Sequence, residues 1–559
     1  MFRNPPRHLL ELVLIGVACA ALLPGLGRTY LWDPDEPRFA AASRHMLAHG
    51  NYLAPVFNDE PRWEKPILLY WLQVGTFRAF GVSEWAARLP SALAGAACVA
   101  LIFVLGRDLF SARAGLVAAG LWLSTFRFVM FARQGLTDVP VLACVLLAMV
   151  YFARAAGLPA AQRANARTTK RAAWFGWLAV GLGVLMKGPV GLLPCVVITA
   201  WILLTRKWSL VRTLRFGTGP LLAAVVALPW YAYAVAVNGA AFLGVHVGHE
   251  LVARAVSTEF GGSRRGPLFY VGIAPGEIAP WTLLVACAIV WALVRWSKAC
   301  RAERRTLLLL GTWVVIVFAV FSMARFKLPH YVLPAYPPLL LLTGAFVDGA
   351  RATRLWRLVL RGTLVATALL LVTGIAILAW IRTAVLPDAP ANAPILTALA
   401  IAFAIGGLAA WRDWVDRALI LCGVPAALLY AVIGAGWGED MRSHFQPAQA
   451  LGLVPLDGPT ASAPLATIGP RPSLVYYAGR HVTFLPDLEA AARWLETPGP
   501  HLLVLQEREA DLLRSAAPDW RGTVLARRPM FAPRLKHILD GRAMRPSDHL
   551  VLLTDGVGP

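Results

Sequence analysis

Long apolar runs, broken by short clusters of charged residues, repeat from residue 9 to residue 437. They fall near 9–26, 88–106, 114–130, 139–153, 173–186, 189–205, 216–237, 276–294, 306–323, 331–347, 358–380, 394–411 and 418–437. A helix needs roughly 20 predominantly apolar residues to cross the hydrocarbon core, so the pattern predicts a polytopic α-helical membrane protein with about 13 transmembrane helices. One further run, ILLYWLQVGTFRAF at 67–80, is too short and carries Gln73 and Arg78. It is expected to be a helix lying at the membrane interface, with Tyr70 and Trp71 as aromatic anchors.

After Trp437 the pattern changes. Charges and prolines rise, and short β-like runs (Ser473 to Tyr477, His501 to Leu505, His549 to Leu553) alternate with helical periodicity near 487–495 and 507–514. This predicts two parts: a transmembrane part over 1–439, and a small α/β domain over 440–559.

Composition changes the picture only in what it excludes. Hydrophobic residues make up 58% and charged residues 15% of the 559, as expected of a polytopic membrane protein. The net charge of +22 would suit nucleic acid, but the basic residues lie in short clusters between apolar runs, such as Arg163, Arg167, Lys170 and Arg171, or Arg295, Lys298, Arg301, Arg304 and Arg305. Such clusters mark cytoplasmic loops, so no nucleic-acid partner is expected. With 13 spans every strongly basic loop falls inside, which puts the N-terminus in the cytoplasm and residues 28–87 and the C-terminus outside. Arg3 and Arg7 precede a first run with no small-x-small cleavage site, so that run is expected to stay as a span. The seven cysteines form no CxxC, so neither a disulfide nor a cysteine-ligated metal is expected.

Candidate chemistry concentrates in the loop 28–87, where residues 30–73 carry Asp33, Asp35, Glu36, Asp59, Glu60 and Glu64 beside Arg38, Arg44, Arg62 and Lys65. Prolines place these charges on turns and helix starts, and Asp35 and Glu36 precede a helical run at 38–48 where carboxylates also favour the helix dipole. DPDEP therefore also reads as a capped, solvated loop. A second acid-base-proline cluster, Glu64-Lys65-Pro66, at the mouth of the next apolar run favours a site instead. The predicted topology brings further ionisable residues to the same outer side. These are Arg127, Arg133, Asp138, Lys187, His246, His249, Glu250, Arg254, Arg325, Lys327, His330 and Tyr331, in positions where charge is expensive and commonly functional. For each lone Lys or Arg, snorkelling to headgroups is the plain alternative. A cavity at the outer boundary holding both carboxylates and cations suits a substrate with a phosphate, a sugar and a lipid tail.

The stretch DPDEPRFAAASRHMLAHGNYLAPVFNDEPRWEKPILLYW resembles the first periplasmic loop of the bacterial protein-mannosyltransferase-like enzymes, above all the 4-amino-4-deoxy-L-arabinose transferases that modify lipid A. RLPSALA at 88–94, LTDVP at 136–140, KGPVGLLP at 187–194, HELVAR at 249–254 and KLPHYVLPAYPPL at 327–339 extend the resemblance over residues 1 to about 440. It implies a GT-C fold in the bacterial inner membrane and a glycosyltransferase taking its sugar from undecaprenyl phosphate, with lipid A or another periplasmic molecule as acceptor. Asp35 is then the base or orienting group at the anomeric carbon and Asp138 a second carboxylate facing the oxocarbenium-like charge; Glu36 is grouped with them, and Glu36 and Arg38 hold the loop. Lys65, Arg254 and Tyr331 grip the donor phosphate, with Lys187 and Arg325 in reserve. Glu64 and His249 are candidate ligands of a divalent ion such as zinc, which the transfer does not require. Other sugars and hydroxyl acceptors stay open, as do a polyprenyl-lipid flippase and a metalloprotease built on His246-x-x-His249-Glu250, although that order is not HExxH.

Overall fold

The computed structural model describes residues 7–158, 166–253, 265–385, 393–436, 447–516, 520, 522–530 and 548–555. Its N-terminal part is mainly helical: α1 (Arg7–Leu22), α2 (Asp35–His49), α3 (Leu68–Phe80), α4 (Glu84–Leu109), α5 (Ala112–Leu123), α6 (Phe126–Ala132), α7 (Asp138–Ala155), α8 (Ala166–Lys187) and α9 (Leu193–Thr205). Long helices follow at Gly219–Leu243, Thr282–Lys298, Arg301–Met323, Tyr336–Gly349, Arg354–Val385, Ala393–Trp411 and Val415–Gly436.

Local chemistry explains several boundaries. Ser83 starts α4 by accepting from the Ala86 N–H, and Ser111 starts α5 by accepting from the Ala114 N–H. Gly50, at φ 68°, ends α2. Small residues then let helices close on one another: a Cβ on Gly106 would stand 2.6 Å from the Gly115 Cα, and one on Gly344 would stand 2.2 Å from the Ala114 carbonyl oxygen. In lipid, where exclusion of water does not drive helix association, such close backbone packing does.

Among the described residues eight helices are long and apolar enough to cross a membrane, and ten do if each bent pair counts as one span. The pairs are α5 with α6, bent by 68°, and Phe269–Glu277 with Thr282–Lys298, bent by 117°. Three of the 13 expected spans have no separate counterpart. The apolar part of α1, Leu9–Leu22, is short, and the runs 173–186 and 189–205 join as one apolar unit, Arg171–Thr205. Of Val415–Gly436, the side chains from 431 onward lie outside the described residues.

The segment 67–80 does form a helix, α3, but Tyr70 is no interfacial anchor. It is fully buried beneath α2, its ring 5.1 Å from that of Phe39, while Gln73 accepts from Ser43 Oγ at 2.8 Å and donates to the Ala87 carbonyl at 2.9 Å. These partners let a buried amide sit where an amphipathic pattern would have placed it toward headgroups. Trp63, Tyr70, Trp230 and Phe242 belong to one apolar cluster, which binds the loop 28–87 to the Gly219–Leu243 helix.

The C-terminal residues build a five-stranded sheet of β3 (Leu465–Ile468), β4 (Val482–Leu485), β5 (Leu502–Gln506), β6 (Thr523–Met530) and β7 (Asp548–Thr554), in the order β4-β3-β5-β7-β6. A two-residue pair, β1 (Val56–Phe57) with β2 (Glu60–Pro61), lies earlier in the chain. In the sheet β3 runs parallel to β4 and β5, whereas β7 is antiparallel to β5 and β6. Helices Leu488–Leu495 and Glu507–Ala516 match the helical periodicity read there, but residues 473–477 are helix, not strand. Pro472 opens that helix and Gly479, at φ 67°, closes it, so end signals outweigh the apolar run. The expected division at 439/440 lies outside the described residues.

Candidate active site

DPDEP places three carboxylates within four residues, and the structure uses each differently. Glu36 is 1% exposed and accepts from Arg88 Nε and Nη2, both at 2.8 Å, from the Gly135 N–H at 2.6 Å and from the Trp32 N–H at 2.8 Å. Arg88 in turn donates to the carbonyls of Leu26, Thr29 and Tyr30. This bidentate pair joins α2 and α4 to the segment after α1 and the turn between α6 and α7, and all four lone-pair sites of the Glu36 carboxylate are taken. Both oxygens of Glu36 are thus taken up within the protein, which makes it a structural pin of the loop. Arg88 holds the loop, whereas Arg38 makes no hydrogen bond or ion pair among the described residues.

Asp33 turns toward the C-terminal sheet domain. Its Oδ1 accepts the Ser473 N–H at 2.9 Å, and its Oδ2 accepts the Ser473 hydroxyl and, at 3.4 Å, Gln449 Nε2. The residue keeps an exposed outer edge, but its carboxylate is enclosed by that domain. Burial of the carboxylate pushes its pKa above the usual range, against the opposing pull of the Ser473 hydrogen bonds. Asp35, between these two anchors, opens α2, is exposed and has no hydrogen-bond or ion-pair partner among the described residues. Its charge is felt at His330 and at Tyr70.

The second half of the site is a cavity of about 380 Å³ whose wall includes Lys65, Asp138, Lys187, His330 and Tyr331. Asp138 opens α7 and Lys187 closes α8, and their side chains meet at 2.7 Å. His330 lies 3.7 Å from the same carboxylate, and Lys187 sits 5.7 Å from the Tyr331 ring centroid. Lys65 pairs with Glu250, which is 5% exposed. Glu64 and His246 also line it, and the rest of the wall is largely apolar, with Leu193, Val196, Val320 and Phe321. One cavity thus offers two lysines, the carboxylates of Glu64, Asp138 and Glu250, and a phenol beside a surface fit for hydrocarbon.

The other expected residues fare unevenly. Arg254 lies outside the described residues. Arg325 is exposed and not on the cavity wall, although its neighbours Ala324 and Phe326 are. Glu64 lies 3.3 Å from Arg62 and His249 lies 3.6 Å from Glu250. Among the described residues the group of three ligands with mutually close donor atoms is Glu507, Asp548 and His549, which includes neither. Among the described residues Glu64 and His249 are not brought together in such a group, whereas a zinc site takes four ligands. Sequence reasoning left Arg88 without a role although it stands in RLPSALA, and gave none to Glu250, the partner of Lys65, or to Glu277, the bidentate partner of Arg127.

A multi-spanning helical body thus carries a loop of pinned and unpinned carboxylates beside a cation-bearing cavity. The crystal structure of ArnT from Cupriavidus metallidurans bound to undecaprenyl phosphate shares this fold, with a TM-score of 0.78 over 99% of this chain and 100% of that chain at 22% identity. A family model described as dolichyl-phosphate-mannose-protein mannosyltransferase matches residues 22–242. The undecaprenyl phosphate-alpha-4-amino-4-deoxy-L-arabinose arabinosyl transferase of Pseudomonas aeruginosa (strain UCBPP-PA14) is 31% identical over 443 residues, 75% of this chain and 76% of that protein. A protein of Aquifex aeolicus is 28% identical over 330 residues, and the match spans 58% of this chain and 61% of that protein's length. The chain belongs to the protein-mannosyltransferase family of multi-pass membrane glycosyltransferases that includes these arabinosyl transferases.

Proposed function

We propose that the chain is an inverting transferase that moves 4-amino-4-deoxy-L-arabinose from undecaprenyl phosphate to a phosphate of lipid A. The reaction takes place on the periplasmic side of the bacterial inner membrane, with the N-terminus in the cytoplasm and the loop 28–87 and residues 440–559 outside. The observation that carries this reading is the cavity, in which Lys65, Lys187 and Tyr331 stand with Asp138 above an apolar wall. The name of the Pseudomonas aeruginosa relative, similar over three quarters of both chains, supports the sugar and the carrier.

In this mechanism Lys65 and Tyr331, with Arg254, hold the donor phosphate and stabilise it as it leaves, since charge-assisted hydrogen bonds act most strongly where charge develops. Lys187 holds Asp138 beside the sugar, and Asp138 with Asp35 faces the positive charge that grows at the anomeric carbon. Arg325, away from the wall, is a contact for the acceptor at most. No cofactor takes part in these steps, and Glu64 and His249 need bind no ion for the phosphate to leave.

A second reading keeps the donor class but changes the acceptor to a sugar or protein hydroxyl. It is favoured by the unpartnered carboxylate of Asp35, because a hydroxyl needs a base whereas an ionised phosphate does not. Purified protein, undecaprenyl phosphate–aminoarabinose and lipid A should yield lipid A heavier by one aminoarabinose in mass spectrometry. Donor consumed only when a hydroxyl acceptor is supplied would replace the first reading by the second. Donor carried across a vesicle membrane unchanged would make the protein a flippase and sink both.

A further inference from the structure

Among the described residues the C-terminal sheet domain adds no side chain to the cavity wall, yet it grips the chain immediately before Asp35. The Leu31 N–H donates to Tyr477 Oη at 2.7 Å, Gln449 Nε2 donates to the Leu31 carbonyl at 3.1 Å, and Asp33 takes the backbone and side-chain donors of Ser473. Ser473 is fully buried and Gln449 is 3% exposed, so the donors are fixed within the sheet domain although Asp33 itself is exposed. Tyr477 also donates to Glu84 at the start of α4, at 3.1 Å. More distant grips fasten the same loop: Asn58 and the Val482 backbone exchange two hydrogen bonds of 2.8 Å, and Arg44 donates to the Tyr476 carbonyl at 2.9 Å. On the other side of Asp35, Glu36 is locked to Arg88 and Gly135. Only Pro34 and Asp35 lie between the two anchors.

We propose that Asp33 is a positioning residue for the transfer, held by Ser473 and Gln449, and that through it the C-terminal domain fixes where the carboxylate of Asp35 stands. The inference rests on the catalytic reading of Asp35. Asp35 has no hydrogen bond of its own among the described residues, so its placement depends on the backbone at its two ends. A displacement of about 1 Å at a reacting group costs on the order of 100-fold in rate, and releasing one of two anchors permits a displacement of that size. The domain thereby takes part in the catalytic apparatus through the loop that it holds.

The test measures kcat and donor KM per folded molecule in purified full-length protein. Asp33→Ala should lower kcat about 10- to 100-fold with donor KM unchanged. Asp33→Asn should restore most of that loss, because its amide accepts from the Ser473 N–H and donates to the Ser473 hydroxyl. Ser473→Ala, which keeps the N–H donor, should show a smaller kcat loss and serves in place of Asp33→Ala if that variant does not fold. In an Asp35→Asn background Asp33→Ala should cost nothing more, since nothing is left to position. A kcat within twofold of wild type for folded Asp33→Ala or Ser473→Ala, or a loss that lies wholly in KM or in protein abundance, overturns the proposal. An inactive Asp35→Asn beside an active Asp33→Ala sinks the clamp alone. A fully active Asp35→Asn sinks the catalytic reading, and the clamp with it.

Discussion

Glu36→Gln and Asp35→Asn make the same chemical change at neighbouring positions, one carboxylate oxygen replaced by an amide nitrogen, and they are expected to fail in opposite ways. Glu36 accepts four hydrogen bonds, two of them from an arginine that is itself 2% exposed. The amide introduced by Glu36→Gln could oppose only one of the two forked donors, and Arg88 would keep its charge with the carbonyls of Leu26, Thr29 and Tyr30 as its remaining acceptors. Removing one partner of a buried pair costs about 3–5 kcal/mol, and Arg88→Met, which strands the anion, belongs at the upper end. Because large membrane proteins seldom unfold in two states, the effect is best read as melting temperature and recovery of monodisperse protein in detergent. Both should drop for Glu36→Gln and Arg88→Met, and activity per surviving molecule, since Glu36 is the second anchor of Asp35, should fall by no more than the roughly 100-fold expected for releasing one anchor. Asp35 is exposed and unpartnered among the described residues, so Asp35→Asn should melt like the wild type while transfer falls by roughly 100- to 10,000-fold. Equal melting temperatures for Glu36→Gln and wild type, or wild-type turnover by Asp35→Asn, would refute the division of labour within DPDEP.

Lys65→Ala should weaken donor binding by about 10- to 150-fold, the equivalent of a charged hydrogen bond worth about 1.5–3 kcal/mol. Glu250→Gln should act the other way, tightening donor binding measured by titration, because it releases Lys65 from the buried carboxylate that now holds it; unchanged donor affinity in both would move the phosphate site elsewhere. A reporter fused after residue 302 should behave as cytoplasmic and one fused after Gly458 as periplasmic, and a cytoplasmic signal from the second would put the cavity in the wrong compartment.

What the sequence made legible, and what it did not, divides by the range of the interaction concerned. Apolar runs report burial in lipid one helix at a time, so most of the helical body could be read from them; the bends at Ser124 and at Ala279–Pro280 could not, because a bent pair and a straight span share one composition. Asp138 and Lys187 were legible as charges at the ends of apolar runs, where the cost of burial singles them out, but not that they meet at 2.7 Å, since 49 residues separate them. Arg88 shows the limit more sharply. It lies one turn into the helix that follows Ser83, where nothing local marks it as a partner of the acids, while Arg38 sits beside them and looks like their partner. The structure reverses this because α2 and α4 pack so that position 36 faces position 88 across 52 residues, a pairing set by tertiary packing with no local signature. The same reasoning applies to Asp33 and Ser473, 440 residues apart. Local charge density singles out the loop, but which carboxylate of DPDEP is left unpartnered among the described residues follows only from knowing which two are already occupied, and those occupants come from α4 and from residues more than 400 positions further along the chain.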